Sequence, residues 1–445
     1  MTRASRRILF ANVPADGHFN PLTGLAVFLR EQGYDVRWYS SALYADKIRR
    51  LEIPYYPFNK AMELNNDTVE SHFPERKLIK GKISKLNFDI QHFFIRRGEE
   101  YYADIKDIYS EFPFDLLIAD CLFTGIPFVK DKMKIPVLSI GIMPLAETSK
   151  DLAPSGLAMH PATGLAGRAR QAMLRWFADK VLFRKSNELM HQIFDEHFIP
   201  HQKENVFDMM VRKSTLLLQS GTPSFEYKRS DLGENVRFIG PLLPYNKKQT
   251  QKTWFDPRLN TYERVVLVTQ GTVEKDVNKL LVPTLNAFRK SNFLVVVTTG
   301  GSDTDKLRNE FPDSNFIIED FIPFNDIMPY TDVYITNGGY GGVMLGIDHQ
   351  LPMVVAGVHE GKNEINARIG YFKLGIDLKT ENPRPQQIRS AVEMILVNDT
   401  YRRRVEELAS EFKTYDPLRL TAGFVSEILL TNSGTKKVLA DPLIY

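Results

Sequence analysis

The stretch ILFANVPADGHFNPLTGLAVFLREQGYDV, residues 8–36, decides the fold. Its short apolar start, Ile8–Val13, is typical of a strand that is buried on both faces of a parallel sheet. After the loop ADGHFNP, apolar residues recur at helical spacing until Gly33, whose conformational freedom suits the end of a helix. YDVRWYSS then indicates a second strand. Together these elements predict one βαβ unit, which crosses over in the right-handed sense onto a parallel sheet.

The same alternation of strands and helices continues along the chain in two runs. The first run includes FDLLIAD and PVLSIGI, and the second includes RVVLVTQGT, NFLVVVTTGG, FIIEDFIP, DVYITNGG and PMVVAGV. Between the runs, ENVRFIGPLLPYNKKQTQKTWFDPRLN contains three prolines and many polar residues, as expected for a linker near residues 243–260. We therefore predict an α/β fold with two doubly wound halves.

Length and composition exclude several classes of protein. The chain has 445 residues, of which 43% are hydrophobic and 25% charged, so it can form two folded domains. The net charge of +3 gives no reason to expect a nucleic-acid partner. Cys121 is the single cysteine, which excludes an internal disulfide and favours a reducing, cytoplasmic location. The apolar run near the N-terminus is too short for a secretory signal, and no run is long enough to span a membrane.

Two segments, residues 68–97 and 167–198, are basic, aromatic and only partly periodic. The first interpretation is that they form amphipathic helices packed on the sheet. The alternatives are that they wall a binding cleft, or that they touch the inner face of a membrane through basic and aromatic side chains. The first interpretation assigns the larger apolar residues to helix cores: Phe93, Phe94, Met173, Trp176 and Phe177.

One histidine and one aspartate follow strands of the first half. Ligands of open parallel sheets bind beyond the carboxyl ends of the strands, and His18 and Asp120 both lie at such positions. A histidine with a carboxylate on its far nitrogen can take a proton from an alcohol, because the carboxylate fixes the tautomer and stabilises the imidazolium. The alternative is that His18 only caps a helix and Asp120 only ends a strand, since spacing does not show that the two side chains meet.

The second half carries a glycine-rich turn, NGGYGG at residues 337–342, between a strand and a helix. Glycines let the backbone approach a ligand closely, and the free N–H groups of the following helix suit a diphosphate. The alternative is a simple glycine-rich turn; it is not a Walker motif, because no Lys-Ser or Lys-Thr follows. We expect no metal ion and no bound cofactor, so that helix N-termini and side-chain donors stabilise the diphosphate.

Several stretches resemble one family. The opening at residues 8–36, GENVRFIGPLLP before the linker, VVLVTQGT, and the segment from Phe321 to Ala367 are similar to the nucleotide-sugar-dependent, inverting glycosyltransferases of the GT-B fold. This family includes plant natural-product and bacterial macrolide glycosyltransferases. The resemblance implies two facing Rossmann-like domains with a cleft between them: an acceptor domain at 1–245, a linker at 246–260, a donor domain at 261–430, and a tail at 431–445 that packs back on the first domain.

By position, the resemblance assigns His18 as the general base and Asp120 as its partner. It implies that Phe321 stacks on the nucleotide base and that the Ile322 backbone contacts it, with Thr272 near the diphosphate. The full set of donor-binding positions that it implies is Gly271, Thr272, Phe321, Ile322, Asn337, Gly339, Tyr340, Gly341, Gly342, Lys362 and Asn363.

The sequence departs from the family pattern in the donor segment. Asn337 replaces a histidine at the phosphates, Gly342 replaces Ser or Thr, and Leu345 stands where plant members have a glutamate that binds the ribose. Lys362 and Asn363 replace the Asp-Gln pair that holds the sugar hydroxyls. A missing ribose glutamate suits a deoxyribose nucleotide such as dTDP at least as well as UDP, and a lysine suits an acidic or deoxygenated sugar.

The resemblance therefore implies a metal-independent, inverting enzyme that moves a hexose from a UDP- or dTDP-sugar to a hydroxyl of a small acceptor, which the aromatic segments suggest is apolar or aromatic. An alternative, motivated by the altered donor segment, is a non-catalytic nucleotide-sugar-binding auxiliary protein of a glycosyltransferase. A nucleotide-sugar epimerase is a third hypothesis, which the opening segment disfavours.

Overall fold

A computed structural model describes residues 6–64, 68–243, 245, 253–271 and 274–432. Its elements form two sheets, each flanked by helices on both faces, as the alternation in the sequence predicts.

The first half contains a seven-stranded sheet in the order β3-β2-β1-β4-β5-β6-β7. Neighbouring strands pair in parallel, for example with Ile8 opposite both Val36 and Leu116. The strands are β1 (Arg7–Ala11), β2 (Asp35–Ser40), β3 (Tyr55–Pro57), β4 (Leu116–Asp120), β5 (Val137–Gly141), β6 (Leu216–Ser220) and β7 (Val236–Gly240). The helices are α1 (Asp16–Glu31), α2 (Ala45–Arg50), α3 (Val69–His72), α4 (Lys82–Asp89), α5 (Arg97–Glu111), α6 (Leu165–Phe177), α7 (Arg184–Glu196) and α8 (Val206–Arg212).

The second half contains a six-stranded parallel sheet in the order β10-β9-β8-β11-β12-β13, the strand order of a dinucleotide-binding fold. Its strands are β8 (Arg264–Thr269), β9 (Phe293–Thr298), β10 (Phe316–Glu319), β11 (Val333–Thr336), β12 (Met353–Val355) and β13 (Gly375–Asp377). The helices are α9 (Leu281–Phe288), α10 (Thr304–Glu310), α11 (Phe324–Ile327), α12 (Tyr340–Asp348), α13 (Lys362–Tyr371), α14 (Pro385–Val397), α15 (Asp399–Phe412) and α16 (Pro417–Asn432). The prediction of two doubly wound α/β halves is confirmed.

In each sheet the strand order reverses once: between β1 and β4 in the first half, and between β8 and β11 in the second. At such a point the loops leave the carboxyl ends of two adjacent strands toward opposite faces, which opens a crevice for a ligand. The candidate residues His18 and Asp120 flank the first crevice, and the turn at 337–342 flanks the second.

The last described helix returns to the first half. α15 packs in the core of the second sheet through Val405 and Phe412, whereas α16 contributes Val425 and Ile428 to the core formed by β1, β2, β4 and α1. The sequence assigned residues up to 430 to the second domain, but the chain crosses back before Pro417. The predicted packing of a tail at 431–445 lies almost wholly outside the described residues, as does the first part of the linker, residues 246–252.

Beside the first sheet, two long helical segments pack on each other. α4 continues through a π-helical turn, Ile90–Ile95, into α5, and α6 continues through a second such turn, Ala178–Leu182, toward α7. Phe93 and Phe94 are half-buried, but Met173, Trp176 and Phe177 lie in solvent, with Trp176 61% exposed. The prediction that these last three form helix core is wrong, because the apolar stripe of α6 faces outward.

Candidate active site

His18 and Asp120 meet at the crevice of the first sheet. His18 lies in the first turn of α1, and its Nδ1 is 2.8 Å from Oδ1 of Asp120, at the end of β4. An ionised carboxylate only accepts hydrogen bonds, so Nδ1 carries the hydrogen and Nε2 presents a lone pair. The imidazole is 19% exposed and the carboxylate is fully buried. Among the described residues Nε2 has no hydrogen-bond partner, so it can serve a ligand.

Backbone amides hold the carboxylate in place. Asp120 Oδ2 accepts the N–H of Val13 at 2.8 Å, and Oδ1 accepts the N–H of Leu122 at 2.9 Å in addition to the imidazole. Asn12, which the sequence reasoning did not single out, braces the loop after β1: its amide donates to the Val13 carbonyl and its oxygen accepts from the indole of Trp38. A polar residue at the end of a buried strand was the available signal.

The thiol of Cys121 takes no part in this pair. Burial, followed by the neighbouring charge of Asp120, raises the pKa of the Cys121 thiol to about 12. Since only a thiolate is a good nucleophile, this cysteine is chemically inert at neutral pH.

The glycine-rich turn of the second half is built around two asparagines. The Asn337 amide donates to the Gln270 carbonyl after β8 and so ties together the two strands that flank the second crevice. Gly338 has a φ of +91°, and a Cβ at this position would lie 1.8 Å from Oδ1 of Asn366. Asn366 donates to the Gly357 carbonyl at 2.9 Å. Only glycine fits at 338, because another residue would collide with this bracing side chain.

Tyr340 connects the two halves. Its hydroxyl donates to the Ser220 carbonyl at the end of β6, at 2.6 Å, and accepts from the Gln219 amide at 3.2 Å. The side chain of this predicted donor-binding residue is therefore used between the halves, which leaves its backbone N–H for a ligand. Gly339 caps α12, and Gly341 and Gly342 form its first turn. Cα atoms of α1 and α12 come within 8 Å of each other, so the two crevices face one another.

Phe321 and Ile322 follow β10 and differ in exposure. The Phe321 ring is 71% exposed and free to stack, whereas the Ile322 side chain is buried in the core, which leaves its backbone for contacts. The neighbouring loop after β9 is a part of the site that was not predicted. There a Cβ on Gly300 would lie 3.4 Å from the Gly271 carbonyl, so this loop borders the same crevice. The signal was TTGGS directly after a buried strand.

The substituted sugar-site pair has partners within the protein. The Lys362 ammonium lies 2.6 Å from Glu360, and the Asn363 amide donates at 2.7 Å to the Gly156 carbonyl of the first half. Neither side chain is directed to a ligand in this arrangement, although each pairing lies at the surface, where it can exchange. Thr272 lies outside the described residues, and its predicted role stays a prediction.

α13 is anchored across the interface by a buried ion pair. Arg368 is almost fully buried, donates to Glu226 of the first half at 2.8 and 3.1 Å, and lies over the ring of Tyr227 at 4.4 Å. Burial opposes the charge on Arg368, but the neighbouring carboxylates outweigh it and raise the pKa of the guanidinium. The last turn of α13 is thereby held against the first half.

Glu381 shapes the loop before α13. Its carboxylate accepts the N–H groups of Val358 and His359 at 2.5 and 2.9 Å. Burial alone would favour the neutral acid, but the two amides, with the charges of His359 and Lys279, hold the pKa of Glu381 below its ordinary value.

Two stretches have the spacing of metal ligands: DTD at 303–305 and HFIPH at 197–201. Each aspartate pairs with a lysine or arginine of α10, and each histidine contacts one carboxylate, that of Glu99 or Asp195. Across the ranges that the structure describes, no three His, Cys, Asp or Glu side chains are grouped to hold a metal ion. Within the same ranges, every helix is too short or too polar to cross a bilayer.

Comparisons with known proteins agree with this arrangement. Residues 284–418 match the family described as "Erythromycin biosynthesis protein CIII-like, C-terminal domain". The chain is 32% identical over 411 residues to 4'-demethylrebeccamycin synthase of Lentzea aerocolonigenes, covering 92% of this chain and 96% of that protein. It is 30% identical over 430 residues to UDP-glucosyltransferase 1 of Beauveria bassiana, covering 92% of each.

Solved structures show the same fold. The calicheamicin glycosyltransferase CalG4 matches with a TM-score of 0.73 at 19% identity, covering 96% of this chain and 99% of that one. The glycosyltransferase VinC, in complex with dTDP, matches with a TM-score of 0.66 at 15% identity, covering 96% of this chain and all of that one. With these relatives, its GT-B architecture and the two facing crevices, the chain belongs to the UDP-glycosyltransferase-like, macrolide-type family of nucleotide-sugar-dependent glycosyltransferases.

Proposed function

We propose that this glycosyltransferase moves a hexose from a UDP- or dTDP-sugar to a hydroxyl of a small acceptor with inversion and without a metal ion. The observation that carries the proposal is the 2.8 Å contact between His18 and Asp120. His18 Nε2 takes the hydroxyl proton while the acceptor oxygen forms its bond to the anomeric carbon. The bond from that carbon to the diphosphate oxygen breaks on the opposite face, and the diphosphate leaves with the electron pair. Asp120 stabilises the resulting imidazolium.

The leaving diphosphate is assigned to the second crevice. The first turn of α12 offers backbone N–H groups from Tyr340, Gly341 and Gly342, and the positive end of the helix dipole favours the anion. Donors fixed in advance at a developing charge need no reorganisation during the reaction, which makes them effective. The exposed ring of Phe321 is available to stack on the nucleotide base.

Two observations bear on the nucleotide. Leu345 is buried in the core of the second half, so position 345 offers no acceptor to a ribose hydroxyl. VinC, which shares the fold, is a complex with dTDP, whereas the Beauveria relative is named a UDP-glucosyltransferase. Turnover should therefore be compared with matched UDP- and dTDP-sugars. Equal use of UDP-glucose would contradict a preference for deoxyribose.

The acceptor is assigned to the helical side of the first crevice. Thr124, four residues after Asp120, donates its hydroxyl to the Phe94 carbonyl at 2.7 Å, so the π-helical turn at 90–95 lies against the loop that carries Asp120. The buried ring of Phe73 and the half-buried rings of Phe88 and Phe93 cluster beside this turn at 5.4 to 6.3 Å between centroids. An aromatic surface beside the proposed general base, His18, favours a flat or apolar acceptor.

Replacing His18 tests the mechanism. His18→Ala should reduce transfer about 10²-fold or more while dTDP or UDP binding, measured by calorimetry, stays unchanged. His72→Ala is the matched control, because His72 is an exposed histidine of the same half that forms no contact with Asp120. Near-normal transfer by His18→Ala would remove His18 from the role, and a product with retained anomeric configuration by NMR would contradict inversion.

The auxiliary-protein alternative is motivated by one observation, the internal pairing of Lys362 and Asn363. Family membership and the intact pair of His18 and Asp120 favour the enzyme. Titration and transfer measured together decide between them, because a nucleotide-sugar-binding auxiliary protein would bind a nucleotide diphosphate in the calorimeter but transfer no sugar.

A further inference from the structure

A strip of large apolar side chains lies in solvent on the helical side of the first half. Its members come from two segments, α4 and the helix that runs from α6 into the turn at 178–182, and each is between 42% and 62% exposed. We call this strip the apolar-basic face, and its apolar members are Ile83, Leu86, Met173, Trp176, Phe177 and Val181.

The apolar members form one continuous strip. Met173, Trp176 and Phe177 have the i, i+3, i+4 spacing that places side chains on one side of a helix. α4 adjoins the end of this helix through Asn87. The Asn87 amide donates to the Leu182 carbonyl at 2.7 Å, and its oxygen accepts from the Ser186 hydroxyl at 2.7 Å. Asn87 lies one helical turn after Ile83, so Ile83 and Leu86 border the end of the α6 strip.

Positive charge is concentrated around this strip. Residues 165–185 contain six Lys or Arg and one acidic residue, a net charge of +5, while the entire chain carries +3. Lys180 and Arg184 contact carboxylates at the surface. Arg168, Arg170 and Lys185 are exposed, and within the described part of the chain they form no ion pair. The free charge therefore lies at both ends of the apolar strip.

The combination of aromatic residues and free cations favours one occupant. The core of a protein–protein interface is depleted in charged residues, lysine among them. A bilayer with anionic lipids satisfies both features: aromatic rings settle at the boundary between headgroups and acyl chains, while Lys and Arg extend to the phosphates. We propose that the apolar-basic face docks the first half on an anionic bilayer, with Trp176 and Phe177 inserted at the headgroup level.

Vesicle sedimentation with the full chain tests the proposal. The protein should bind vesicles of phosphatidylcholine mixed with phosphatidylglycerol, bind pure phosphatidylcholine poorly, and dissociate as salt is raised. Trp176→Ser with Phe177→Ser should abolish the binding. Arg168→Gln, Arg170→Gln and Lys185→Gln should each weaken it roughly fivefold at low salt.

Controls separate the face from general effects. Val397→Ser on α14 of the second half is the matched control, because Val397 is 84% exposed and lies outside the face. Tryptophan emission should shift to the blue on adding anionic vesicles, and Trp176→Phe should remove the shift, since Trp38 is buried and Trp254 packs against the core of the second half, away from the face. Thermal melts of each variant confirm that it is folded.

Three results would overturn the proposal. Equal or absent binding to the two vesicle types would remove the electrostatic component. Unchanged binding by the Trp176 and Phe177 variant would remove the apolar component. If the variant with Trp176→Ser and Phe177→Ser has a higher KM for a water-soluble acceptor and binds vesicles as before, Trp176 and Phe177 line the acceptor cleft instead.

Discussion

Asp120→Asn gives the sharpest test of the active-site geometry, because the carboxylate is fully buried and makes three hydrogen bonds, all as acceptor. An asparagine has one acceptor oxygen and one donor nitrogen. If the oxygen takes the position that serves Leu122 and His18, the new NH2 faces the N–H of Val13. If it serves Val13, the NH2 faces the other two donors. Either orientation leaves at least one buried N–H unpaired, at a cost of roughly 1–3 kcal/mol.

The second orientation also changes the imidazole. His18 Nδ1 must then accept a hydrogen bond, which moves the hydrogen to Nε2 and removes the lone pair that takes the acceptor proton. We expect transfer to fall by roughly 10²–10⁴-fold, the range for losing a general base or its correct tautomer. The assay is single-turnover transfer at saturating nucleotide sugar, with unfolding followed in parallel.

Asp104→Asn is the matched control. Asp104 is a second buried carboxylate of the same half and accepts three backbone N–H groups and the Tyr39 hydroxyl, without contact to His18. Both variants should lose similar stability, and only Asp120→Asn should lose transfer. Transfer rates for the two variants within about threefold of each other would refute the tautomer argument, because that argument predicts a difference of at least 10²-fold.

Three further changes follow from the described contacts. Gly338→Ala forces a Cβ against Asn366 at a positive φ, so it should destabilise the second half by about 2–4 kcal/mol in urea unfolding and weaken nucleotide diphosphate binding; wild-type stability would contradict the packing. Arg368→Met removes the nearer of the two arginines beside buried Glu226, leaving Arg229 at 3.9 Å, and should cost about 3 kcal/mol, partly recovered by adding Glu226→Gln; no recovery would argue against a direct pair. The lowered pKa of Glu381 stabilises the fold above its ordinary value of 4.5, and that stability is lost as pH falls below it. Glu381→Gln should therefore lower Tm more at pH 7 than at pH 3, and equal Tm differences at both would refute the assignment.

The fold was predictable because it depends on local patterns. Continuous apolar strands alternating with helices predict parallel sheets, and the rule that ligands bind beyond the carboxyl ends of such strands selects His18, Asp120 and the turn at 337–342. The contact between His18 and Asp120 was not predictable from spacing, because the number of residues between them does not give the distance between their side chains. Their positions at the ends of adjacent strands indicate only that they lie at the same edge of the sheet.

The remaining features depend on partners far along the chain. The family resemblance placed Tyr340 among the donor-binding positions, but Ser220 of the other half provides the acceptor for its hydroxyl. The spacing of Met173 and Trp176 places them on one face of a helix. It does not indicate whether other parts of the protein cover that face. The same holds for α16, whose apolar pattern does not say which of the two sheets it packs against.

The return of α16 means that the polypeptide joins the two halves twice, once before β8 and once between Phe412 and Pro417. Two covalent connections between the same two halves limit how far the halves can separate. The two halves therefore cannot be produced separately by cutting the chain after residue 416. The first half would then lack Val425 and Ile428, and the part of its core that they cover would be exposed to water.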